Sequence, residues 1–240
     1  MKTEPISPVR PNKNTIKKLL FEFLAIFLGV SASFGLSEFS KKQNSVKEEN
    51  SIIADLKNEA QNIGDYTKII EQNLKEEIQL YVSLLESNEI TSQKYTSKTN
   101  IEYSLFNYQA FSPPTDTYQS IIGSDGLRIL RSNQLKISLN ALYSRNYNRI
   151  LLGADDEKQL KSKLLMVVLE KHPLIINAGS NPNTSTKEYL DILQEVIYSD
   201  QQIKAAMTIQ LKYLKQRLAA IQLYQLTVED LLGVLNATKN

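Results

Sequence analysis

Between two lysine pairs, Lys17–Lys18 and Lys41–Lys42, the chain reads "LLFEFLAIFLGVSASFGLSEFS". Leu19 to Leu36 holds one charge, Glu22, and as a helix it would be roughly 27 Å long, the short end of what a bilayer core requires. No other feature constrains the fold as much. A core helix of a water-soluble protein carries a polar stripe, and here only serines and Glu22 interrupt the apolar surface. A cleaved signal peptide is the rival reading, because Ser31–Ser33 offers small residues at cleavage-like spacing. Against it stand the long polar leader, the acid inside the apolar run, and a helical pattern that continues beyond the run. These favour an uncleaved anchor.

Lysines and arginines set the expected orientation. Lys2, Arg10, Lys13, Lys17 and Lys18 precede the run, and Lys41, Lys42 and Lys47 follow it. The bias favours a cytoplasmic N-terminus, with the residues beyond Ser40 outside the cytoplasm. The expected organisation is a cytoplasmic tail over 1–18, a transmembrane helix over 19–36 and an extramembrane helical bundle over 37–240.

Glu22 has two readings. An ionisable group in a span marks a functional site by default. It also lies four residues after Lys18, on the same helical face, and so could snorkel to the headgroups beside that lysine. Ala25, Gly29 and Ser33 continue the face of Glu22 at helical spacing. Small residues so placed let two helix backbones approach closely, so the four residues form the expected packing face, toward another copy of the chain or another membrane protein.

Beyond the run, Ile53, Leu56, Ala60, Ile63, Tyr66, Ile70, Leu74, Ile78, Tyr81 and Leu85 advance by threes and fours, the mark of one long amphipathic helix continuous with the span. Ile203, Met207, Leu211, Leu214, Leu218, Ile221, Tyr224, Val228, Leu231 and Leu235 repeat the pattern near the C-terminus. Two stripes of matched length predict an all-α fold in which the N-terminal transmembrane helix continues into a long helix of an antiparallel bundle. With no second run like the first, the chain is expected to cross the membrane once.

Between the stripes, "NEITSQKYTSKTN" reads as a loop and "IEYSLFNYQAF" is ambiguous between strand and helix. "SPPTDTYQ" reads as a boundary with a capping box at Asp116 and Gln119. The short helix behind it is expected to stop at Gly123 or Gly126. A helix from about Asn133 to Leu152 is expected to stop at Gly153 and restart behind Asp155 or Asp156, ending near Lys171. "HPLIINAGSNPN" reads as a loop, and Ser185 with Glu188 as a capping box opening a helix at Thr186.

Little in the composition points to catalysis. The chain has no cysteine and one histidine, so thiolate nucleophiles and zinc–thiolate sites are excluded. His172, just before Pro173, reads as a helix-end residue rather than a general base. "GSDG" at 123–126 does not have the glycine–x–serine–x–glycine spacing of a nucleophile elbow, and "DDE" at 155–157 lacks the spacing of a calcium loop. With a net charge of +2 and no basic face interleaved with aromatics, nucleic-acid binding has no support.

Glu22, Gly29 and Ala32 match a Glu–apolar–Gly–x–x–Ala membrane signature, and Thr117, Tyr118, Gly126, Asn133 and Tyr143 match a spaced Thr-Tyr, Gly, Asn, Tyr pattern. On these two places the chain resembles a family of Gram-negative bacterial single-span proteins with a domain of unknown function. The likeness covers about a quarter of the chain. This chain departs from the family in having "SEFSKK" after the span where the family commonly has tryptophan and acids. The resemblance implies an inner-membrane anchor with a helical domain and supplies no catalytic residues.

The expected function is therefore non-enzymatic, with no cofactor or metal: a scaffold or accessory subunit in contact with membrane lipid, acting through protein contacts. Phe111, Pro113, Pro114, Thr117 and Tyr118 are the expected partner surface. The alternative is a ligand-sensing four-helix domain outside the cytoplasm.

Overall fold

In the computed structural model the described residues are 13–86, 93–124 and 126–238, and they contain helices and connections with no strand. Most of the expected cytoplasmic tail, part of the 88–100 loop and Asp125 of "GSDG" lie outside them. The protein is all-α, and its N-terminal helix is long: α1 spans Lys13–Glu86. Residues up to Ser51 form one compact unit and Ile52–Asn240 a second.

The first unit is the N-terminal part of α1. Over its apolar run, the described side chains of Phe21, Phe23, Leu24, Ile26, Phe27, Leu28, Val30, Phe34, Leu36 and Phe39 are each at least half exposed. None of its apolar window is buried.

The second unit begins within α1 and continues through α2 (Lys98–Phe106), α3 (Asp116–Gly123), α4 (Asn133–Asn140), α5 (Tyr147–Lys171), α6 (Pro173–Ser180), α7 (Thr186–Ser199) and α8 (Gln201–Thr238). Ile53, Leu56, Ala60, Ile63, Ile70, Leu74 and Tyr81 of the first stripe are buried, with Tyr66, Ile78 and Leu85 half-buried beside them. On α8, Leu211 and Leu218 are half-buried and the rest of the stripe is buried. A side chain built on Gly64 would lie 3.6 Å from Val228, and Gln222 donates to Glu71 at 3.0 Å. Along these stretches α1 and α8 therefore run in opposite directions.

Several local expectations change. Instead of stopping at Gly153, the helix runs through it to Lys171. A glycine inside a helix costs only about 1 kcal/mol relative to alanine, too little to end a well-packed one. Between α4 and α5 the chain makes a wider, π-helical turn at Ala141–Asn146. "HPLIINAGS" is also not a loop: Pro173 occupies the first position of α6, where a missing N–H costs nothing. The ambiguous "IEYSLFNYQAF" divides, its first half closing α2 and its second half lying outside any helix or strand. Ser185 caps α7 by accepting from Glu188 N at 3.1 Å, as its spacing predicts.

The expectation of a single apolar run also needs amendment. α8 is long and apolar enough to cross a membrane, although 28% of its apolar window is buried. Its buried residues recur every three or four positions, and Lys212, Lys215, Glu229 and Asp230 lie exposed on its outer side.

Candidate functional site

A nine-residue connection outside any helix or strand, 107–115, joins α2 to α3. Having no ladder or helix of its own, its backbone must find partners elsewhere. Side chains from α1, α5 and α8 supply them.

Lys161 of α5 is 2% exposed. Its ammonium donates to Glu77 at 2.6 Å and to the carbonyls of Ser104 at 2.8 Å and Asn107 at 2.9 Å. It thus meets an acid from α1 and the carbonyl end of α2, where a cation also complements the helix dipole. Arg217 of α8 donates to the Gln109 carbonyl and to Glu157 at 3.2 Å. Its guanidinium lies 4.7 Å from the centre of the Tyr108 ring. Glu157 is 1% exposed and 4.0 Å from Lys161. Burial pushes its carboxyl above the usual range, against the pull of Arg217 and Lys161. Two acids and two bases thus share one buried cluster, and the charges balance.

Phe111 anchors the middle of the connection. It is 3% exposed and packs among Tyr66, Tyr147 and Tyr224, meeting Tyr224 edge-on with centroids 5.3 Å apart. The Tyr66 hydroxyl accepts from Ser112 N at 2.8 Å.

At the far end, Glu59 of α1 caps α3. It accepts from the Thr117 and Tyr118 amides at 2.6 and 3.1 Å and from the Tyr143 hydroxyl at 2.7 Å. Tyr118 and Tyr143 stack with ring centres 4.0 Å apart. Burial, with Glu59 adding to it, pushes the Tyr143 hydroxyl far above its ordinary range, so it stays protonated and donates. The helix begins after Thr115, and no side chain of its own caps it. The expected Asp116–Gln119 box is thereby replaced by a carboxylate reaching across from another helix.

The expected partner surface needs correction. Phe111, Pro113 and Tyr118 are buried, Thr117 is half-buried with its amide engaged, and only Pro114 is exposed. Phe111, Pro113 and Tyr118 pack the interior because the connection is pulled onto the helices from both ends. Glu22, Ala25, Gly29 and Ser33 are all exposed, and a side chain built on Gly29 meets nothing within 4 Å.

Other candidates have local partners. The Ser124 hydroxyl donates to the Ser120 carbonyl at 2.9 Å, closing the end of α3. His172 ends α5, and its Nε2 lies 2.8 Å from Asp200 Oδ2. Asp200 also accepts from Gln202 N at 2.8 Å at the start of α8. The His172 bond, followed by that amide, holds its carboxyl below the usual range. Of "DDE", Asp155 and Asp156 are exposed, while Glu157 belongs to the buried cluster.

Glu59, Lys161 and Arg217 escape a reading by polarity alone. The signal for two of them is positional: Glu59 falls three after Leu56 and four before Ile63, and Arg217 three after Leu214 and four before Ile221. A charged residue in a slot of an apolar stripe is a buried-charge candidate.

These features define an all-α body whose 107–115 connection is held by buried charged side chains, and a long helix that exposes apolar side chains over Phe21–Phe39. No family model, no curated protein and no solved structure matches the chain.

Proposed function

We propose that the chain is a single-span membrane-anchored protein whose helical body acts through protein contacts, without catalysis of its own. The observation that carries this reading is the all-round exposure of Phe21–Phe39 on α1. Leaving ten such side chains in water forgoes on the order of 15 kcal/mol of transfer free energy, as much as the whole stability of a typical domain. Only Glu22 and Glu38 are charged within that stretch, one near each end, and lysine pairs flank it. Lipid is the solvent that fits such a surface. α8 is assigned to the body, because its apolar stripe is taken up by the core and its outer side is charged.

Within the bilayer, the face of Glu22, Ala25, Gly29 and Ser33 meets a partner helix, from a second copy or another membrane protein. The lysine and arginine bias orients the N-terminus toward the cytoplasm of a bacterial inner membrane and the body toward the periplasm. Sedimentation after an alkaline carbonate wash tests the anchor: the full chain should stay with the membranes, and recovery in the supernatant would rule the span out. Gly29→Leu tests the packing face, since it should weaken self-association in a membrane two-hybrid assay if the partner is a second copy.

A further inference from the structure

The charges on the outer side of α8 are segregated by sign. Lys212 and Lys215 lie in its first half, Glu229 and Asp230 in its second. All four are exposed, and none has an ion-pair partner among the described residues. We propose that this side of α8 is a self-pairing surface, which docks antiparallel against the same helix of a second copy of the chain. The pairing joins one helical body to another and does not depend on the anchor.

A second stripe on α8, apart from the one in the core, supplies the contact. Ile209, Ala219, Leu223, Leu226, Gly233 and Ala237 are all exposed. With Lys212, Gln216 and Asp230 they advance by alternating steps of three and four, the a and d spacing of a coiled-coil seam. Ile209 is 47% exposed and Leu226 57%, and this stripe is why so little of the helix's apolar window is buried. A side chain built on Gly233 meets nothing within 4 Å, so no contact inside the body requires glycine there.

Charge selects the direction and the register. Lys212 stands nine residues before Ile221 and Asp230 nine after it. When two seams run antiparallel and centred on Ile221, Lys212 therefore faces Asp230 of the second copy, and two-fold symmetry repeats the pair. In that register Leu223 faces Ala219 and Ile209 faces Gly233, a large residue against a small one each time. Lys215 and Glu229 flank the seam and come together across it in the same way. A shift of one heptad leaves Lys212 opposite Leu223 or Ala237, and a parallel pair sets lysine on lysine and aspartate on aspartate. Only the centred antiparallel pair neutralises all of these charges, so the surface specifies both its partner and its register. The two bodies begin at opposite ends of such a pair, which makes this contact separate from any made by the Glu22 face.

The test is sedimentation equilibrium of the full chain in detergent, where a dimer is expected. Lys212→Asp and Asp230→Lys each bring like charges together twice, and each should raise the dissociation constant at least about tenfold without moving the melting midpoint. An equimolar mixture of the two variants should regain the dimer, as should the two substitutions in one chain, because opposite charges then meet again. A nitroxide on Asn236→Cys should report a separation of about 45 Å within the dimer, against less than about 20 Å for a parallel pair. A monomeric wild-type chain, or a dimer indifferent to both reversals, would overturn the surface. A short separation at 236, or a mixture that stays monomeric, would overturn the antiparallel register.

Discussion

Lys161→Met offers the sharpest perturbation of the helical body. Methionine keeps most of the buried aliphatic stem and removes the ammonium, so packing changes little while three donated hydrogen bonds vanish. Glu77 then loses its 2.6 Å partner, and Glu157 loses the cation 4.0 Å away on its own helix, keeping Arg217 at 3.2 Å. Removing one member of a buried ion pair costs about 3–5 kcal/mol, because the other charge remains without compensation. In a chain of this size each kcal/mol lowers the melting midpoint by about 2–4 °C. The expected shift is therefore roughly 6–20 °C downward, read by far-ultraviolet circular dichroism of the full chain in detergent. Adding Glu77→Gln should recover part of the loss, as the stranded carboxylate is gone, giving a coupling of about 1–3 kcal/mol. A Lys161→Met midpoint within about 2 °C of wild type would refute the claim that this cation holds the connection in place.

Three further outcomes follow from the same geometry. Glu59→Gln keeps the shape but turns an amide NH₂ toward groups that themselves donate, and should cost about 2 kcal/mol in denaturant unfolding, with Tyr143→Phe costing about half as much. Phe111→Ala opens a cavity among Tyr66, Tyr147 and Tyr224 and should cost about 3–5 kcal/mol. Glu71, bonded by Lys75 and then Gln222, is pulled down from 4.5 to about 2. A carboxyl depressed in the folded state stabilises above its unfolded value and loses that contribution as pH falls toward the folded one. Glu71→Gln should thus be less stable than wild type at neutral pH and converge with it near pH 2. Asp200 acts in the same sense, and Glu157, raised by burial, in the opposite one.

The long elements were legible in the sequence because one physical rule governs them: a helix packed on one side repeats its apolar residues every three or four positions. Ile53 through Leu85 and Ile203 through Leu235 obey it, and α1 and α8 are where the spacing places them. Punctuation misled where local cost and tertiary gain disagree. Gly153 and Pro173 read as breaks, yet a packed helix absorbs the one and begins with the other. The candidate site was the least legible part. Phe111 and Tyr118 read as part of a display surface, and nothing local reveals that Glu59, 58 residues before Thr117, reaches over to bind that segment. Lys161 is hidden for the same reason, since its partners come from α1 and from the end of α2.

Because the chain has no cysteine, a single one can be placed at will, and Ile26→Cys carrying a nitroxide in reconstituted bilayers gives the most direct reading of where the first third of α1 sits. Collisional relaxation by oxygen and by a water-soluble nickel chelate reports the depth of the label. Burial in hydrocarbon predicts high oxygen and low nickel accessibility at position 26, reversed at a control label on exposed Ser51. Nickel accessibility at 26 equal to that at 51 would place this stretch in water and contradict the anchor.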